Sequence, residues 1–208
     1  MDKTNYLQDL NEIKNIMNRS TRFMSLSGLS GILAGLYALI GAFLAKNILN
    51  NFLDSSKHRL LPKYGNLQTE FLVIAFVVAI LSIITAYFLS KQKAKKQGVK
   101  IWDSTTKRLL FHFLVPLVTG GILSLQMIHF GFYGFIAPMT LIFYGLSIVN
   151  ASKYTIGNVK YLGFAEIILG LITMQYIGYG IYFWAIGFGV FHIIYGTIMY
   201  FTIEKEQI

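Results

Sequence analysis

The chain has 208 residues, of which 55% are hydrophobic and only 13% charged, with a net charge of +9. Soluble domains carry about 25% charged residues, and here the charges are gathered into a few blocks, which excludes an ordinary soluble domain. There is no cysteine, so disulfides, thiolate metal sites and cysteine nucleophiles are excluded as well. The basic excess is not interleaved with aromatics on a soluble domain, which argues against a nucleic-acid partner.

Residues 1–22 hold Asp2, Asp9, Glu12 and four basic side chains, too long and polar a stretch for the n-region of a signal peptide. The first apolar run is therefore expected to stay as an uncleaved anchor. Within 1–22, residues 4 to about 18 read as a cytoplasmic amphipathic helix, with Leu7, Leu10, Ile13, Ile16 and Met17 on one face. Such a helix binds a membrane surface or a partner, or, more plainly, caps the bundle.

Helix one is expected over 23–46. The 23 residues between Arg22 and Lys46 carry no charge, and at about 1.5 Å each they span a hydrocarbon core of about 30 Å. Gly28, Gly31, Gly35, Ala38 and Ala42 line one face at spacings of three and four. Burying leucine on leucine gains little over burying it in acyl chains. Close backbone approach across small residues is what joins helices in lipid. Helix two offers a matching stripe in Ala75, Ala79, Ser82 and Ala86, so the small face of helix one is expected to form the inner seam of a first hairpin, with homodimerisation as the weaker reading.

Further apolar runs cover 71–90, 109–128, 132–151, 161–177 and 181–203, ahead of a short tail at 204–208. The fold class is all-α: a polytopic membrane protein with six transmembrane helices in three Gly-rich hairpins. Residues 46–70 form a long outer loop. Fourteen Lys and Arg fall on the side of the N-terminus, the 91–108 loop, the 152–160 loop and the tail, against four on the other. The positive-inside rule then places both termini in the cytoplasm, for a multi-pass protein of the inner membrane. Phe130, Phe132, Tyr133, Phe135, Tyr176, Tyr179, Tyr182, Phe183 and Trp184 gather as an aromatic belt around the outer turns. Pro116 and Pro138 fall inside helices three and four, where they are expected to introduce kinks.

Helices three and five align at an offset of 49 residues, placing Gln126 on Gln175, Gly131 on Gly180 and Tyr133 on Tyr182; after a slip of two residues, Tyr144-Gly145 falls on Tyr195-Gly196. The pattern reads as a hairpin repeated two or three times. The segment Thr21-Arg-Phe-Met-Ser-Leu-Ser-Gly-Leu-Ser-Gly-Ile-Leu-Ala-Gly resembles the start of a group of small, uncharacterised bacterial membrane proteins, a likeness that implies no activity. More distantly, six helices in Gly-rich hairpins resemble the HdeD-like acid-resistance membrane proteins in architecture, and that resemblance carries over no site residue.

Against this repeat the third hairpin differs, with Glu166 in helix five and His192 in helix six on small-residue faces. An intramembrane carboxylate is costly unless protonated, paired or hydrated, so Glu166 is a functional candidate. The plainer reading has it snorkelling to Lys160 or interfacial water. His192 is an uncharged proton-exchanging group or a structural donor. Measured from the cytoplasmic end, Glu166 lies about 9 Å deep and His192 about 18 Å, too far for contact. Tyr195 is expected to bridge them in a polar track. Gln126 and Gln175 line an outer vestibule or simply bond across the bundle. No paired nucleophile and base, metal-spaced cluster or nucleotide fingerprint is present, and His112 and His192 do not match in depth for haem. The chain reads as non-enzymatic and without cofactor. It is expected to move or sense a small solute or proton through the polar track, or else to act as a structural or regulatory protein through its N-terminal helix and basic loop. The partners expected are the lipid bilayer and either a second copy of the chain or a cytoplasmic protein. Because the chain lacks cysteine, single substitutions read topology directly. Ser104→Cys and Lys153→Cys should react with an impermeant maleimide only from the cytoplasmic side, and Tyr179→Cys only from the outside; reversed labelling would refute the orientation.

Overall fold

The computed structural model describes residues 27–57, 64–96, 98, 101–155 and 158–204. The expected amphipathic helix at 4–18 lies outside these residues. The described backbone is helical: α1 Gly28–Lys57, α2 Tyr64–Lys96, α3 Ser104–His129, α4 Ile136–Ala151, α5 Val159–Thr173 and α6, which begins at Gly180. Five helical segments are long and apolar enough to cross a membrane: Gly28–Asp54, Leu67–Lys96, Ser104–His129, Tyr133–Tyr154 and Gly180–Thr202. This is a membrane protein built as a helical bundle. α5, with 15 residues, is about 22 Å long and falls short of that length.

Several boundaries differ from the sequence reading. α1 runs eleven residues past Lys46 because Ile48, Leu49, Phe52 and Leu53 continue its periodicity and the first helix-breaking proline comes only at Pro62. With α2 starting at Tyr64, the expected long outer loop is mostly helix. α2 ends before Gly98, whose φ of +67° suits glycine. α3 starts where Asp103 accepts from the Thr106 backbone N–H at 2.7 Å, a side-chain N-cap. α4 is preceded by a 3-10 turn, Tyr133–Phe135, so Pro138 sits in its first turn, where no intrahelical hydrogen bond is lost. Pro116 lies inside α3, which runs through it as one helix. Its missing N–H leaves the His112 carbonyl free, and Asn150 of α4 donates to that carbonyl at 2.9 Å. The proline thereby becomes a hydrogen-bonded junction between α3 and α4.

The packing partners also differ. The small face of α1 does not seam against α2. A side chain built on Gly28 would meet the Gly196 carbonyl at 2.5 Å, and one on Gly35 would meet the Gly189 carbonyl at 2.6 Å; Gly31 faces the Gly196 Cα. α1 therefore packs backbone to backbone on α6. α2 takes the neighbouring face of α1, where Gly41 meets Val78 and Ile74 and the hydroxyls of Tyr37 and Thr85 lie 3.3 Å apart. Ala75 and Ala79 are exposed. Glycine wins over alanine here because only a bare Cα lets two backbones touch.

α5 likewise pairs along its length with α4 rather than α6. Gly145 sits 2.6 Å, by the same measure, from the Gly163 carbonyl, and Gly170 meets Ile142. The two seams share a register. Gly196 lies on Gly28 and Ile32 in one, and Gly145 on Gly163 and Ile167 in the other. Substituting Gly145→Val or Gly196→Val should destabilise the bundle by about 1–3 kcal/mol in detergent unfolding, because the added atoms would press on a facing backbone carbonyl and backbone N–H as well as on an isoleucine side chain. Gly121→Ala, whose new methyl meets nothing within 4 Å, should be neutral or stabilising by up to about 1 kcal/mol.

Candidate functional site

The most buried point of the bundle lies between the two glycine seams. Leu141, Pro138 and Ser147 of α4, with Glu166 and Thr173 of α5, are the largest fully buried side chains. Glu166 is there because Gly163 and Gly170, three residues before it and four after, share its face and draw that face onto α4. It does not snorkel. It is 0% exposed, and the Lys160 ammonium lies over the Tyr161 ring instead.

α6 supplies the imidazole through an irregular stretch. The helix runs as α over Gly180–Trp184, as π over Ala185–Phe191, as α over His192–Met199 and as π over Tyr200–Glu204. Wide turns of this kind inside α-helices are rare and frequent at functional sites. At the junction the His192 backbone N–H donates to the Gly189 carbonyl, while the Gly187 carbonyl accepts from the imidazole Nδ1 at 3.1 Å.

That bond assigns the tautomer. A carbonyl only accepts, so Nδ1 carries the proton, and in the neutral ring Nε2 accepts from the Tyr144 hydroxyl at 2.7 Å. The same Nδ1 lies 3.5 Å from Glu166 Oε1. Neither carboxyl oxygen of Glu166 has a hydrogen-bond partner in the structure. Oε2 points at Gly187, where a Cβ would lie 2.5 Å from it; the absent side chain provides its room. Trp184 and Phe188 stack along α6 above the imidazole, with ring centroids 4.9 Å apart, and the Tyr144 ring lies 4.9 Å from Phe188. At the other end, Ile148, Val159 and Leu162 pack with Phe113, Tyr144, Phe191 and Tyr195. Apolar groups thus close both ends of the pair.

The expected track from Glu166 through Tyr195 to His192 is therefore rearranged. Glu166 and His192 are direct neighbours, and the intervening tyrosine is unnecessary. The depth estimate fails because α5 is short: Glu166 is the eighth of its 15 residues, so a position near the start of the apolar run is the middle of the helix. Tyr195 packs beside the cluster with a buried hydroxyl that has no partner. Its repeat-matched counterpart, Tyr144, holds the imidazole. The alignment of Tyr144-Gly145 with Tyr195-Gly196 pointed to this tyrosine without distinguishing the two. Gln126 and Gln175 lie at exposed positions and take no part in the hydrogen bonds of the cluster. His112 stacks on Tyr154 with centroids 5.0 Å apart, away from the pair.

Chemically, the cluster is an acid and an imidazole within 3.5 Å of each other. It is electroneutral either as a carboxylic acid beside a neutral imidazole or as a carboxylate beside an imidazolium, and a lone carboxylate without donors would cost several kcal/mol. Among the described residues no group of three or more His, Asp or Glu side chains is arranged to hold a metal ion. Comparison with protein-family models, curated proteins and solved structures returns no match.

Two stability measurements test this description. Replacing Glu166 by Met, which keeps the volume and removes the unpartnered acid, should raise stability by about 1–4 kcal/mol. His192→Leu should lower it by about 1–3 kcal/mol, because the Gly187 carbonyl and the Tyr144 hydroxyl both lose a buried partner.

Proposed function

We infer that this is a non-enzymatic integral protein of the inner membrane that senses or moves protons, alone or with a small solute, through reversible protonation of the Glu166–His192 pair. One observation carries the reading. A fully buried carboxyl group with no hydrogen-bond donor at either oxygen stands 3.5 Å from an imidazole nitrogen. A purely structural bundle gains nothing from such a group, since an apolar residue of the same volume packs as well without the desolvation penalty. Tyr144 completes the site from α4. The apolar closure above and below the pair gives it the character of an occluded state, from which a proton leaves only when the bundle moves.

The topology we adopt has six crossings with both termini cytoplasmic. Although α5 is short, the turn that follows it continues along α4: Ile177 packs on Gly134, and Gly180 meets Ala137. α5 and this turn together retrace the segment Tyr133–Tyr154, which is long enough to span. The shared register of the two glycine seams supports an origin by repetition of a helix pair.

The close packing of the pair, with Glu166 0% exposed, favours a second reading, in which the bundle is a scaffold and the cytoplasmic face acts on a partner or on anionic lipid. Lys91, Lys95, Lys96, Lys107 and Arg108 are exposed at that end and suit acidic headgroups. Proteoliposomes separate the two. Under the first reading, an imposed pH gradient should decay faster with wild-type protein than with Glu166→Gln or His192→Ala, by about tenfold or more, and removal of residues 1–22 should leave the rate unchanged. Equal rates in all of these proteins would reject proton movement in favour of the scaffold.

A further inference from the structure

Gly187 contributes twice to the site, once by what it lacks and once by what it offers. Its missing Cβ leaves the space that Glu166 Oε2 occupies, and its carbonyl takes the Nδ1–H of His192. Both contacts lie within the π-helical stretch Ala185–Phe191. There the imidazole of His192 folds back on its own helix to reach the Gly187 carbonyl at 3.1 Å.

We propose that Gly187 is the positioning residue of the pair and that its carbonyl competes with the Glu166 carboxylate for the single Nδ1–H of His192. This rests on the reading of Glu166 and His192 as a protonation site. With the acid protonated and neutral, Nδ1–H donates to Gly187, as observed. When the carboxyl O–H bond breaks and its proton leaves to water, the anionic Oε1, already 3.5 Å away, becomes the stronger acceptor, and the charge-assisted bond draws Nδ1–H to it. Nothing is oxidised or reduced, and the imidazole keeps its own proton. Loss of one proton at Glu166 thus swings the Nδ1–H of His192 away from the Gly187 carbonyl and towards the carboxylate.

The titratable groups around the pair are few. α4 brings Tyr144, whose hydroxyl is committed to Nε2. α6 itself brings Tyr195, packed towards Leu162 and Val159. α1 presents Gly31 and Gly35 to this part of α6, and α3 contributes the Phe113 ring. No other charged side chain among the described residues of these elements joins the cluster.

The test uses the full chain in lipid nanodiscs, with 15N-labelled histidine and 13C-labelled glycine carbonyls. His192 is assigned by its loss in His192→Gln, and the Glu166 carboxyl band is followed by infrared difference against Glu166→Gln. Wild-type protein should show His192 as the Nδ1–H tautomer at low pH, with its Nδ1 signal and the Gly187 carbonyl signal shifting in one step together with loss of the carboxyl band. Glu166→Gln should keep the tautomer and lose both pH steps. Gly187→Ala should abolish the coupled step in His192 even where the variant stays folded and monodisperse, and combining it with Glu166→Asp, which retracts the carboxyl group, should restore the step. A carboxyl band that titrates while the Gly187 carbonyl stays fixed, or a Gly187→Ala protein with an unaltered His192 step, would overturn the competition and leave the protonation site standing. A carboxyl band that does not titrate at all would remove the site and this inference with it.

Discussion

Two pairs of helices touch backbone to backbone through glycine, and the remaining architecture follows from that contact. In a bilayer there is no water to squeeze out between apolar faces, so the helices that pair are those whose backbones come closest. α6 meets α1 through Gly196 and Gly189, and α5 meets α4 through Gly145, Gly163 and Gly170. Once these pairs form, the side chains within the seams have no choice of neighbour. Glu166 lies in one seam and His192 in the other, and the line where the seams meet brings the acid and the imidazole together.

The same constraint explains the irregular helix. The wide turn carries the Gly187 carbonyl that the imidazole meets, and the side chain that Gly187 lacks leaves the space into which the carboxyl group fits. Several buried hydroxyls are satisfied locally, as where Thr173 donates to the Leu169 carbonyl and Ser147 to the Phe143 carbonyl. The Asn150 side chain answers the carbonyl freed by Pro116 in the same manner, but across two helices. Among the buried side-chain atoms without a partner, beside the Ser124 and Tyr195 hydroxyls, both oxygens of Glu166 are the ones that belong to an ionisable carboxyl group.

The sequence announced the kind of molecule clearly, and the pairings much less so. Uncharged runs of helix length, with basic residues collected on one side, leave little room for anything but a bundle of membrane helices. The stripe of small residues on α1 does mark a seam, while the alanine stripe of α2, with Ala75 and Ala79 exposed, does not form the one expected of it. They misdirected the choice of partner for α1, because the alanine stripe of α2 and the glycine stripe of α6 are equally good patterns on paper. Glycine outcompetes alanine only when two backbones are brought to contact distance, which is a property of pairs and not of either strip. The extension of α1 and α2 beyond the bilayer was hidden for a simpler reason: polar residues such as Asn47, Asn50 and Asn51 end an apolar run without ending a helix.

By itself the sequence determined that the chain belongs in a membrane, that its helices pack through small residues, and that Glu166 and His192 are its two unusual residues. Each of these follows from local chemistry: hydropathy over a span, spacing on a helix face, and the expense of an ionisable group in lipid. Tertiary structure alone decided that these two residues are neighbours, that Tyr144 rather than Tyr195 holds the imidazole, and that Gly187 seats them both. Those facts depend on where helices of unequal length begin, and on a wide turn that alters the register of α6. A count of residues along each helix cannot supply either, because depth in a bundle is set by the partner a helix packs on.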